Sequence, residues 1–177
     1  MHFDVSTIIP AVAFVLYVSF VIFGFFQYKK DRYYWSFQLY MILLSIWSFG
    51  SMMMHLNSPV MTPLFWNRIM LLGLLAVPFP LCSFVLDILS IRNKAVRLLI
   101  NISYVLIIPL MHLNFTGSIV SDAGFADGIF YYQLADGAMS AYSLSYAYLV
   151  LTIVLLLFGA DWRGGEQVRK NITLPLV

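Results

Sequence analysis

Nine of the ten Lys and Arg residues fall in three short clusters, Lys29/Lys30/Arg32, Arg92/Lys94/Arg97 and Arg163/Arg169/Lys170, and long apolar runs separate them. A helix needs about 20 apolar residues to cross roughly 30 Å of hydrocarbon, and the runs have that length. Short loops rich in Lys and Arg stay on the cytoplasmic side. The alternate loops contain neither residue, so the pattern predicts that the three clusters share the inner face and that the N-terminus lies outside. The segment Met1-His2-Phe3-Asp4-Val5-Ser6-Thr7 has no basic stretch ahead of its apolar run, so the first run reads as a retained span and not a removable leader.

Composition points the same way. With 62% hydrophobic and 10% charged residues and a mean hydropathy of +0.88, the chain lacks the charged fraction of roughly 25% that covers a soluble domain. The expected outer partner is the lipid bilayer. The net charge of +2 is topological, since each basic cluster flanks a span and meets anionic headgroups. No nucleic-acid partner is expected. Cys82 stands alone within an apolar run and reads as a small packed hydrophobe.

The fold class expected is all-α, a polytopic transmembrane helical bundle of five complete spans, about 8–26, 33–56, 64–89, 98–115 and 137–160. A partial sixth starts from 171, as in a single sensor domain cut from a longer protein. Pro59 and Pro63 mark a tight outer turn between the second and third spans. Pro78 and Pro80 fall in the middle of the third span and Pro109 in the fourth, where each removes an amide donor and predicts a kink. The longest connection, 116–136, carries the aromatic stretch Phe130-Tyr131-Tyr132 and fits either a flexible linker or a lid folded onto the bundle mouth. In the fifth span, Ala141/Ser145 and Tyr142/Tyr146 are each four residues apart and share helical faces, which fits close packing or a polar cavity wall.

Catalytic constellations are not found. The sequence has no Gly-rich phosphate loop, Cys pair or His-Glu-x-x-His motif, so neither an enzyme nor a cofactor is expected of this chain. Asp87 reads as an interfacial carboxylate beside Arg92. Asn101, Asn114 and Asn171 head Asn-x-Ser/Thr triplets that read as chance matches. One arrangement stands out, because ionisable groups near apolar spans are costly and usually face the protein interior. His55 ends the second span, Arg68 lies about one turn into the third, and His112 lies about one turn inside the outer end of the fourth. With Trp47 and Trp66 they would line an outward-facing pocket for an anionic or amphipathic small molecule. Separate anchoring of each side chain at the outer headgroups explains the same positions. The two His residues also fit axial haem ligation in principle, but His55 sits almost in the loop.

The run Phe65-Trp66-Asn67-Arg68, followed by Gly73, Pro78 and Phe84 and preceded by Trp47, resembles the N-terminal seven-helix sensor region of bacterial membrane histidine kinases. The order of a tight outer hairpin and then a longer outer loop resembles it too. Arg68 and Trp66 match the motif; His55 and His112 are not carried over from it. The resemblance implies a multi-pass sensor in the bacterial inner membrane that signals to a cytoplasmic output, usually a histidine kinase, and pairs as a homodimer through that missing output domain. The competing readings are a small transporter or channel subunit, for which broken helices are also expected, and a structural membrane subunit.

Overall fold

A computed structural model describes residues 5–26, 33–56, 61–89, 94–126 and 129–162. The loop 27–32, residues 57–60 with Pro59, Arg92, and 163–177 with the third basic cluster, Asn171 and the expected sixth helix lie outside the described residues. Among the described residues, five helical stretches are long and apolar enough to cross a bilayer: Ser6–Phe26, Tyr34–His55, Pro63–Ile88, Val96–Phe115 and Ala138–Leu155.

The first two stretches are the single helices α1 (Val5–Phe26) and α2 (Tyr34–His55). The third is two helices, α3 (Pro63–Ala76) and α4 (Pro78–Ile88), that meet at Val77. Thr62 starts α3 by accepting the Phe65 N–H at 3.3 Å, with Pro63 in the first turn where its missing donor costs nothing. At the α3–α4 junction Pro78 and Pro80 cannot donate to Leu74 and Ala76, so the ladder breaks as expected. The carbonyl of Leu75 within this turn accepts a hydrogen bond from Ser145 Oγ at 3.0 Å. The fourth stretch is α5 (Lys94–Ser103) and α6 (Ile107–Phe115), joined by a 3-10 turn at Tyr104–Leu106. The irregularity lies one turn before Pro109, because the proline ring presses on the carbonyl four residues earlier, that of Val105.

The longest connection is not a loop. Val120–Ala126 (β1) and Ile129–Leu134 (β2) form an antiparallel hairpin, paired from Ala126 with Ile129 to Val120 with Leu134, with an irregularity between Val120 and Asp122. The chain is mostly helical, as the all-α expectation has it, and this hairpin is the addition to it among the described residues. Aromatic and β-branched residues crowd Ile129-Phe130-Tyr131-Tyr132, and they favour a pleated surface that can pack. The hairpin leads into α7 (Ala138–Trp162).

The hairpin belongs to the core. Ile119, Val120 and Ala123 are buried in one cluster with Leu71 and Leu75 of α3, Phe79 of α4, Leu110 of α6, and Ala138 and Ala141 of α7. Phe79 is 0% exposed and its ring lies 4.5 Å from that of Tyr148. A second cluster, Cys82, Leu86 and Ile100, packs nearer the basic end. There Arg97 Nη1 bonds Asp87 Oδ1 at 2.9 Å, and Ser36 Oγ donates to Asp87 Oδ2 at 3.3 Å. The carboxylate thus bonds Arg97, from the same basic cluster as the expected Arg92.

Helices α2 and α3 touch backbone to backbone. A Cβ added to Gly73 would lie 2.5 Å from the Leu43 carbonyl oxygen and the Trp47 nitrogen, and one on Gly50 would lie 2.5 Å from the Met70 nitrogen. In the fifth span Ala141 and Ser145 are buried, whereas Tyr142 is half-buried and Tyr146 is 67% exposed. The small-residue face is the packing face.

Candidate functional site

The site is built on the first two turns of α3, where Trp66, Asn67 and Arg68 follow one another. Successive helical residues are turned by about 100°, so Trp66 and Arg68 point to nearly opposite sides. Trp66 packs edge-on against Phe49 of α2, with ring centroids 5.6 Å apart. Its Nε1 is buried without a hydrogen-bond partner. Phe49 in turn meets Phe14 of α1 and borders an apolar cavity of about 350 Å³ that Val18, Ile42, Ile46 and Ile69 also line. Asn67, 2% exposed, turns towards α2, where its Nδ2 donates to Met54 Sδ at 3.6 Å.

Arg68 faces α6 and the hairpin. Its carbonyl accepts a hydrogen bond of 2.7 Å from Asn114 Nδ2, which pins the end of α6 to α3. The guanidinium lies against Gly117, where an added Cβ would be 3.3 Å from Nη2. Gly117 has φ +83°, a left-handed conformation that ends α6. Around it Ser118 N donates to the Leu113 carbonyl at 3.0 Å and Gly117 N to the Asn114 carbonyl at 3.4 Å. Thr116 N and Oγ1 take the His112 carbonyl, each at 3.0 Å. The carbonyls of His112, Leu113 and Asn114 are therefore already occupied. Arg68 Nε is buried with no acceptor, and no carboxylate among the described residues pairs with this guanidinium.

The five expected site residues divide accordingly. His55 packs edge-on against the hairpin, its ring centroid 5.6 Å from that of Phe130 of β2. Arg68 shares that end of the bundle with it. Trp66 is on the other side of α3, and Trp47 is about 7 Å deeper, at the Gly73 crossing. His112 is exposed on α6 and does not turn inward; Asn114, two residues on and 0% exposed, does. The five thus lie on different faces, because shared depth along helices does not give a shared face. Asn67 and Asn114 were missed as inward-facing groups. The available signal was an amide within an apolar span, where a buried polar side chain needs a partner.

Comparison with protein families matches residues 7–177 to the N-terminal 7TM region of histidine kinase. The chain belongs to this family. No curated protein and no solved structure matches it. The family is a membrane sensor input region of histidine kinases, and the apolar helices make this chain its multi-pass membrane portion. This region is the sensor part and not the catalytic part.

Proposed function

We propose that this chain detects an extracellular or membrane-borne ligand at the hairpin end, which faces out, and passes a packing change to a cytoplasmic output in the same parent protein. The parent is a homodimeric sensor kinase of the bacterial inner membrane, and the basic end carrying Lys94 and Arg97 faces the cytoplasm. The observation that carries this reading is the continuous core. Hairpin residues Ile119, Val120 and Ala123 share one buried cluster with Leu75 and Phe79, which flank the proline break. A ligand that seats the hairpin differently acts directly on the one place where the third span can bend. The arrangement favours a lid over a linker for 116–136, and Arg68 and His55 are the ligand-facing candidates, with Asn114 holding the Arg68 backbone.

The test uses the full-length parent protein in its own membrane. Phe130→Ala removes the His55 ring contact, and Val120→Asp places a charge in the shared cluster. A lost aromatic pair is worth about 1 kcal/mol, so Phe130→Ala should shift basal phosphorylation of the output by about fivefold, and Val120→Asp further. Unchanged output in a variant whose hairpin has become more susceptible to protease would refute the reading.

A further inference from the structure

Arg68 is the exception to the charge pattern, the one basic residue outside the three clusters. It sits five residues after the start of α3 at Pro63, about 7 Å along the helix. That depth puts an extended Arg side chain at the level of the bilayer headgroups. A guanidinium offers five N–H donors and cannot lose its charge, so at this depth it needs acceptors.

The protein supplies none among the described residues. Nε is enclosed without a partner, while the terminal nitrogens are neither enclosed nor hydrogen-bonded. The nearest helix end is the C-terminus of α6, whose carbonyls from His112 to Asn114 are taken by Thr116, Gly117 and Ser118. Of the two acids of this connection among the described residues, Asp122 bonds the Ala123 N–H at 2.9 Å and the Tyr131 hydroxyl at 3.1 Å. Asp136 is exposed and makes no ion pair with Arg68. The side chain is nevertheless held in place: Asn114 fixes its backbone, and the absent Cβ of Gly117 leaves room for Nη2. A positioned, permanently charged fork without a protein acceptor is the arrangement that binds oxyanions.

We propose that Arg68 anchors a phosphate-binding site at the hairpin end, with the free guanidinium edge taking two phosphate oxygens and Gly117 and Asn114 acting as positioning residues. The phosphate comes from an outer-leaflet phospholipid headgroup or from a phosphorylated solute in the outer medium. This deepens the reading that the hairpin end receives the signal, and it rests on that end facing out.

The experiment uses the full-length protein purified in maltoside, with wild type, Arg68→Gln and Arg68→Lys compared by thermal melting and by native mass spectrometry. One arm returns the protein to nanodiscs of phosphatidylglycerol or of a phosphate-free galactolipid. The other adds inorganic phosphate to the delipidated protein. A hydrogen-bonded ion contact of this kind corresponds to about tenfold in affinity. Wild type should therefore hold phosphatidylglycerol or inorganic phosphate about tenfold more tightly than Arg68→Gln, with Arg68→Lys between them. Stabilisation by the phospholipid alone identifies the headgroup as the source, and stabilisation by inorganic phosphate identifies the solute. Equal retention by wild type and both variants in both arms overturns the site. If Arg68→Gln does not fold, Arg68→Lys alone decides: the lysine loses the two-oxygen geometry, so equal affinity to wild type overturns the proposal. Phosphate binding that depends on Arg68 while kinase output ignores the Arg68 variants would leave the site standing and remove its sensory role.

Discussion

Trp66 and Arg68 are two positions apart, and the helix sends them to opposite sides of α3. The same rotation separates His112, exposed, from Asn114, enclosed. The depth of these residues was legible in the sequence because the apolar runs give each one a height in the bilayer. The face was not, because the runs are apolar all round and give no stripe to orient by. A residue-scale prediction concerns the hairpin. Tyr131 donates its hydroxyl to Asp122 Oδ2 at 3.1 Å, and the hydrogen bond to that carboxylate, then its charge, raises the phenol above its ordinary pKa near 10. The folded pKa is the higher one, so this contact stabilises the hairpin fully below the unfolded value and fades as pH rises through the folded value. Asp122→Asn should bring the Tyr131 titration, followed by NMR on labelled tyrosine, down towards the ordinary value. An unmoved titration would show that the carboxylate is not the cause.

The elements were largely readable, because Pro, Gly and charge act locally. Pro63 opens α3, Pro78 and Pro80 break the third span, and Pro109 distorts the turn before it. The hairpin was the exception. Asp127-Gly128 lies between the two strand sequences, a dipeptide that two-residue hairpins favour, but its signal is short and stands in a loop of otherwise mixed composition. The α2–α3 contact was also hidden, since nothing in the sequence tells which glycine will meet a backbone. Because a Cβ at Gly73 would lie 2.5 Å from backbone atoms of Leu43 and Trp47, the two helices must separate to admit one. Gly73→Ala should therefore cost about 1–3 kcal/mol, as overpacking does, read as a lower melting temperature of the full-length protein in detergent. A melting temperature equal to wild type would mean that the helices do not approach so closely.

At the scale of the whole molecule the basic clusters gave the membrane class directly, and the family assignment agrees with it. The sequence did not reveal that one core joins the hairpin to the broken third span, because Val120 and Phe79 are far apart in the chain and meet only by folding. That core defines the route proposed for the signal: hairpin, Leu75 and Phe79, the proline break, then α4 and its Asp87–Arg97 pair at the basic end. The most direct test is a double-mutant cycle on kinase autophosphorylation, combining Phe130→Ala with Pro78→Ala/Pro80→Ala in the full-length protein reconstituted in nanodiscs. If the break transmits the change, the roughly fivefold effect of Phe130→Ala should collapse in the proline-free background. A Phe130→Ala effect of the same size in both backgrounds would contradict the account.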